Sequence, residues 1–142
     1  MSYSILDVQK SVDDVLTSDS TLLNLLNNGV NSILDNPIQA NELGFPYIVY
    51  SSVNSQEWDT QTTNGAECYV TLSVFSNSGD RLEATNILSR IYTLLHNQDL
   101  SVSNNNFVLC RWDGLSEVFI DDKKEGRITQ GVIRFMIITQ GV

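Results

Sequence analysis

With 142 residues, 42% hydrophobic and 18% charged, the sequence suits one folded domain whose core needs neither disulfide nor metal, and it excludes a disordered chain. Eight Lys and Arg against seventeen Asp and Glu give a net charge of −9. The basic residues are scattered, and the one adjacent pair, Lys123-Lys124, is flanked by Asp121, Asp122 and Glu125. This argues against tight nucleic-acid binding, which needs clustered cations on phosphates.

Apolar runs such as Met136-Ile137-Ile138 fall far short of the ~20 residues of a membrane span. The amino terminus lacks the basic-then-apolar pattern of a signal peptide, so the protein is expected to stay in the compartment where it is made.

In chain order, Ile5, Val8, Val12, Val15 and Leu16 recur at helical spacing after Ser4, a capping residue whose partner in a capping box is Asp7. A second short helix is expected over Thr21–Asn27, capped by Asp19 or Ser20 and stopped by Asn27-Asn28-Gly29. Val30–Leu34 reads as a short strand before the Asn36-Pro37 break. After Gly44-Phe45-Pro46, Tyr47–Val53 is rich in aromatic and β-branched residues with little alternation, as in a strand covered on both faces. A polar loop is expected from Asn54 to Gly65.

Glu67–Ser76 then alternates, with Cys68, Val70, Leu72 and Val74 on one face. Ser78-Gly79-Asp80 marks a turn, and Asp80 with Glu83 forms a capping pair. Ala84, Ile87, Leu88, Ile91, Tyr92 and Leu95 make one buried helical face that ends near His96-Asn97. After the Asn104-Asn105-Asn106 turn, Phe107–Trp112 and Leu115–Ile120 are extended on either side of Asp113-Gly114. A charged turn over Asp121–Gly126 leads into the last strand, Arg127–Thr139, giving an antiparallel hairpin.

The order α-α-β-β-β-α-β-β predicts an α+β fold. Its sheet is mainly antiparallel or mixed, with one long helix and two short amino-terminal helices packed on it.

No pattern for chemistry emerges. His96 is the only histidine and sits at a predicted helix end, where it complements the dipole. Asp121, Asp122 and Glu125 lack the six alternating oxygen ligands of a calcium loop and have lysines among them. The carboxylate pairs Asp13-Asp14 and Glu57-Asp59 have no pocket to serve. Phosphate-binding glycine loops and nucleophile elbows are absent. No catalytic residue, cofactor or metal ligand is assigned. Cys68 and Cys110 lie in apolar runs without metal-ligand spacing and read as reduced core thiols, with a disulfide between neighbouring strands as the alternative.

Trp58 stands apart, in a polar stretch where no periodicity requires its burial. With Glu57, Asp59 and Thr60 it is a candidate interface anchor; the alternative is a Trp folded back over its own domain edge.

Several segments, read together and in order, resemble the tail-completion or tail-terminator proteins of long-tailed phages and gene transfer agents. They are Phe45-Pro46-Tyr47-Ile48-Val49, Trp58-Asp59-Thr60, and Val70–Ser76 running into Gly79-Asp80-Arg81-Leu82-Glu83-Ala84. Ile91–His96 and Gly131-Val132-Ile133-Arg134-Phe135 complete the set. The resemblance covers about residue 30 to the end and carries no catalytic residue onto this chain.

It implies a structural virion protein of the tail's neck region, made in the bacterial host cytoplasm. The expected assembly is a homohexameric ring between the head-side connector or stopper protein and the tube of major tail protein. Such a ring stops tube polymerisation and lets DNA pass without specific binding. A different head–tail joining component, a stopper or connector adaptor, is the alternative; a small enzyme is a remoter one.

Overall fold

In the computed structural model the elements are, in chain order, α1 (Ser4–Thr17), α2 (Ser20–Leu25), a 3₁₀ turn (Gly29–Ser32), β1 (Ile33–Leu34) and β2 (Tyr47–Glu57). They continue with β3 (Gly65–Ser76), α3 (Leu82–Leu95), β4 (Asn105–Lys123) and β5 (Gly126–Gly141). The structure describes residues 4–27, 29–35, 44–57, 65–77, 81–100, 105–123 and 126–141. The strands form one sheet in the order β1-β2-β3-β5-β4. β1 runs parallel to β2, and every other pairing is antiparallel. The α+β expectation holds, with a sheet that is mixed at one edge only.

The alternation of β3 decides which face is the core. Cys68, Val70, Leu72 and Val74 are each 0% exposed. They meet Val8, Val12 and Leu16 of α1, Leu22 of α2, and Ile87, Ile91 and Leu95 of α3 in one cluster. Burying each such side chain contributes roughly 1.5–3 kcal/mol, which is why helices of indifferent propensity hold here. Gly131 of β5 lies beneath α3, where a Cβ would come within 2.8 Å of Leu88 Cδ1. Its missing side chain lets the helix settle on the sheet.

On the opposite face, Tyr47 and Val49 are buried in a second small cluster with Phe45 and Phe75, where the Tyr47 and Phe75 rings stack at 5.1 Å. Both faces are thus covered where β2 begins, as its unalternating sequence predicts.

Several boundaries differ from expectation. β2 continues to Glu57, so Asn54–Glu57 pair with β3 rather than starting a loop. Polar side chains suit an edge strand whose outer faces meet water. Only Ile33–Leu34 of the expected Val30–Leu34 strand is extended, because the 3₁₀ turn takes Gly29–Ser32. Gly29, with φ of 58°, opens that turn.

Phe107–Trp112 and Leu115–Ile120 belong to one 19-residue strand. Asp113-Gly114 is a bulge within it, with a register shift between Trp112 and Ser116 and Gly114 at φ 84°. The charged turn is also tighter than expected, since Lys123 already pairs with Gly126.

Helix ends show what capping chemistry decides. Asp19, not Ser20, caps α2, its carboxylate accepting from the Leu22 N–H at 2.8 Å. Of the expected Asp80–Glu83 capping pair, Asp80 lies outside the described residues; Arg81 occupies the N-cap of α3 without a side-chain cap bond. Glu83 instead accepts a hydrogen bond from Ser76 Oγ at 2.6 Å, tying the first turn of α3 to the end of β3. α1 begins at Ser4, and the expected Ser4 side-chain cap lies outside what is described. The Asn36-Pro37 break and the Ser78-Gly79-Asp80 turn lie outside the described residues too.

Candidate functional site

Several titratable groups serve structure. Asp19 caps α2 and also accepts two hydrogen bonds from Arg90 of α3, Nε to Oδ2 and Nη2 to Oδ1, both at 2.8 Å. The Arg90 hydrogen bonds, above all, hold the Asp19 carboxyl below its ordinary 3.8. Tyr50 donates its hydroxyl to Asp13 at 3.1 Å and so pins α1 over β2. Burial, then the Asp13 charge, pushes the Tyr50 phenol far above its usual range.

On the helix-free face, Arg134 of β5 pairs with Asp113 at 2.6 Å and lies 5.6 Å from the centre of the Tyr69 ring. This pins the β4 bulge to the middle of the sheet.

The two cysteines are free and buried. Both are register partners of Ile137, one from each side. That leaves them two strand spacings apart, ~9–10 Å, beyond the ~7 Å reach of a disulfide. Burial pushes the Cys68 thiol up to about 11 and the Cys110 thiol up to about 12, so both stay protonated and unreactive at neutral pH. Among the described residues no group of three or more His, Cys, Asp and Glu is placed to hold a metal ion. No helix among them is long and apolar enough to cross a membrane.

His96 does stand at the end of α3, as its position in the sequence predicts, and it has a further job there. Its Nδ1 accepts the backbone N–H of Trp112 at 3.0 Å, and its ring stacks on Tyr92 at 4.6 Å. The next residue, Asn97, adopts φ 57° and donates its N–H to the Cys110 carbonyl at 2.9 Å. The carboxyl end of α3 is therefore clipped to β4.

Tyr92, expected on the buried face, is 40% exposed. It stands at the margin of the helix, edge-on to Trp112 at 6.1 Å. Trp112 itself is 36% exposed, and Leu82 at the other end of α3 is 65% exposed. Between α3 and the outer half of β4 runs an apolar groove of about 320 Å³, floored by Leu88 and Ile133 and walled by Tyr92, Trp112 and Val118.

The remaining surfaces suited to assembly are strand edges. Among the described residues, β4 has no partner on its outer side, and β2 has one only at Ile48 and Val49, where β1 pairs. Of the predicted interface residues, Glu57 ends β2 opposite Ala66, while Trp58, Asp59 and Thr60 lie outside the described residues. Sequence reasoning missed Trp112 and Tyr92 as surface aromatics, because Tyr92 sits in a helical pattern that reads as core and Trp112 reads as the end of a strand.

Comparison with known proteins matches the chain to one family model and to one fold. The family described as tail completion protein gp17 matches residues 10–140. A chain from the structure entitled "Virion of native gene transfer agent (GTA) particle" has the same fold, with a TM-score of 0.80 at 18% identity. The match covers 99% of this chain and 100% of that one. No curated protein sequence matches the chain.

Proposed function

Because the chain belongs to the tail completion protein gp17 family, a structural component of virion tails, we propose that it is the terminator of the tail tube. In this reading copies of the chain form a ring, hexameric by the resemblance, on the head-facing end of the tube. The ring stops tube polymerisation and offers the head connector or stopper a surface to join. The observation that carries the reading is the family match over residues 10–140. Among the described residues, the acids, the histidine and the thiols named above are engaged in capping, pinning and packing, in keeping with this reading. The protein then acts by contact and not by catalysis.

Its charge suits the position. A chain of −9 repeated around a ring builds a strongly negative potential, which favours sliding over sticking when a phosphate backbone passes. Tight binding of duplex DNA to the assembled ring at physiological salt would count against this passage role. Trp58, with Glu57, Asp59 and Thr60, is proposed to anchor contact with a neighbouring ring component; Trp58→Ala should weaken capping, and unchanged ring formation and capping would remove the assignment.

The deciding experiment is negative-stain microscopy of the purified protein mixed with polymerising major tail protein. A terminator yields tubes of limited length with density at one end. Tubes that elongate unhindered and stay bare at both ends overturn the reading, and a stopper or adaptor would behave that way.

A further inference from the structure

We infer that copies of this chain join head to tail through their strand edges. The outer edge of β2 in one copy lies against the outer edge of β4 in the next, and the neighbour's β2–α1 side covers the groove beside Trp112. The inference rests on the ring reading and names the surfaces that build it.

Strand polarity permits the joint. Along the order β2-β3-β5-β4 every pairing is antiparallel, so β2 and β4 point in opposite directions at the two ends of the sheet. A rotation about an axis running along the strands keeps each copy's direction and keeps all helices on one side. It therefore brings β4 antiparallel to the neighbour's β2, and the sheet continues without reversal. Such a contact is heterologous, the kind that closes into rings.

Height in the sheet agrees. Val53 is level with Trp112 through Val70 and Phe135, and Asn54 with Arg111 through Tyr69 and Met136. Of the stretch of β2 left unpaired on its outer side among the described residues, Val53–Glu57 thus lies at the level of Phe107–Trp112, before the bulge at Asp113-Gly114, and Ser52 at the level of the bulge itself. Below it, the two-residue β1 would meet the second half of β4, which the bulge is placed to turn aside.

Charge points to a second copy rather than to another kind of partner. Two molecules of −9 repel, so they approach best where neither presents an acid, and the facing stretch of β4, Phe107–Trp112, carries Arg111 as its one charged residue. Ser51–Gln56 has no charged residue and no proline, the usual guards of an exposed edge. The groove is equally neutral, lined by Leu88, Ser89, Tyr92, Trp112, Ser116 and Val118. In the continued sheet the next helix over this groove is the neighbour's α1, because α1 overlies β2 and is fixed to it by the Tyr50–Asp13 hydrogen bond. The edges and the groove, left without a partner among the described residues, therefore call for the same occupant.

The test uses full-length variants with one introduced cysteine each, at exposed positions on the helix-free face, Asn54→Cys on β2 and Arg111→Cys on β4. Cys68 and Cys110 are buried on the other face and stay unreactive. The variants are mixed and mildly oxidised, free and on tail tubes, with Ser52→Cys and Gln56→Cys covering neighbouring registers. The expected result is a disulfide-linked pair only when a β2 variant meets the β4 variant.

Cross-linking of Arg111→Cys with itself means a two-fold β4–β4 dimer and overturns the inference. Assembled rings that cross-link in none of these pairings overturn it too, yet leave the terminator reading intact. A chain that multimerises neither alone nor on tubes removes both. As a second arm, the exposed pair Asn54→Lys and Gln56→Lys should raise the concentration needed for assembly at least tenfold while the unfolding curve stays in place. Assembly unchanged by these edge lysines also overturns the inference.

Discussion

Phe135 and Trp112 stand side by side on one rung of the sheet, as register partners on β5 and β4. Phe135 is 0% exposed and Trp112 is 36% exposed. Both are large aromatics on the helix side, and one strand's displacement separates a core residue from a surface one. The difference is what lies above them: the helices close over β3 and β5 and stop short of the outer half of β4. The centre of the molecule completes itself, and its edge is left to be completed.

The sharpest break of this comparison is at the centre. Phe135→Ala should cost about 3–5 kcal/mol, the usual penalty for an aromatic removed from a closed core. A lowered midpoint in urea at unchanged slope measures it. Gly131→Ala approaches the same core by adding volume. Its new Cβ would sit 2.8 Å from Leu88 Cδ1, so α3 must lift or Leu88 must change rotamer. A loss of about 1–3 kcal/mol is expected, and a neutral result would mean that α3 floats over β5 instead of resting on it.

A smaller effect sits where α2 meets α3. Asp19→Ala removes a cap and should cost about 1 kcal/mol, while Asp19→Asn keeps the cap and loses the charge facing Arg90. The carboxyl's value is lowered in the fold, so its stabilisation is fully present above the ordinary 3.8 and disappears as pH falls through the lowered folded value. Wild type and Asp19→Asn should differ most near neutral pH and converge in acid below that value. Curves that run parallel down to strong acid would show that the Arg90 contact contributes nothing through charge.

The centre was readable in the sequence and the edge was not, for a physical reason. Cys68, Val70, Leu72 and Val74 alternate because one face of β3 is buried and the other is half-open. Ala84, Ile87, Leu88, Ile91 and Leu95 repeat at helical spacing for the same cause. Periodicity reports burial against one's own chain. It cannot separate a residue buried by its own chain from one left for a neighbour, so Tyr92 reads as core and Trp112 as the end of a strand. Asp113-Gly114 stands between two stretches that read as extended, and the bulge there is not legible, because turn residues serve turns and bulges equally well. The polar run Asn54–Glu57 reads as loop, because an edge strand with water beyond it needs no apolar residue. Trp58, singled out for its unexplained size, belongs to the candidate surface that the described residues do not reach.

Trp112→Ala carries the smallest expected effect on stability and the most informative. The side chain is partly in water, and its edge-on contact with Tyr92, 6.1 Å between centroids at 80°, is worth only about 0.5–1.5 kcal/mol beyond buried area. The clip from His96 reaches the backbone N–H of Trp112, not the indole, and survives the substitution. Unfolding should therefore shift by about 1 kcal/mol, well below the change at Phe135, while self-association weakens through the exposed groove wall. A penalty equal to that of Phe135→Ala would make Trp112 part of the chain's own core and the groove a mere seam. A small penalty with lost assembly means that the same rung serves folding on one strand and joining on the next.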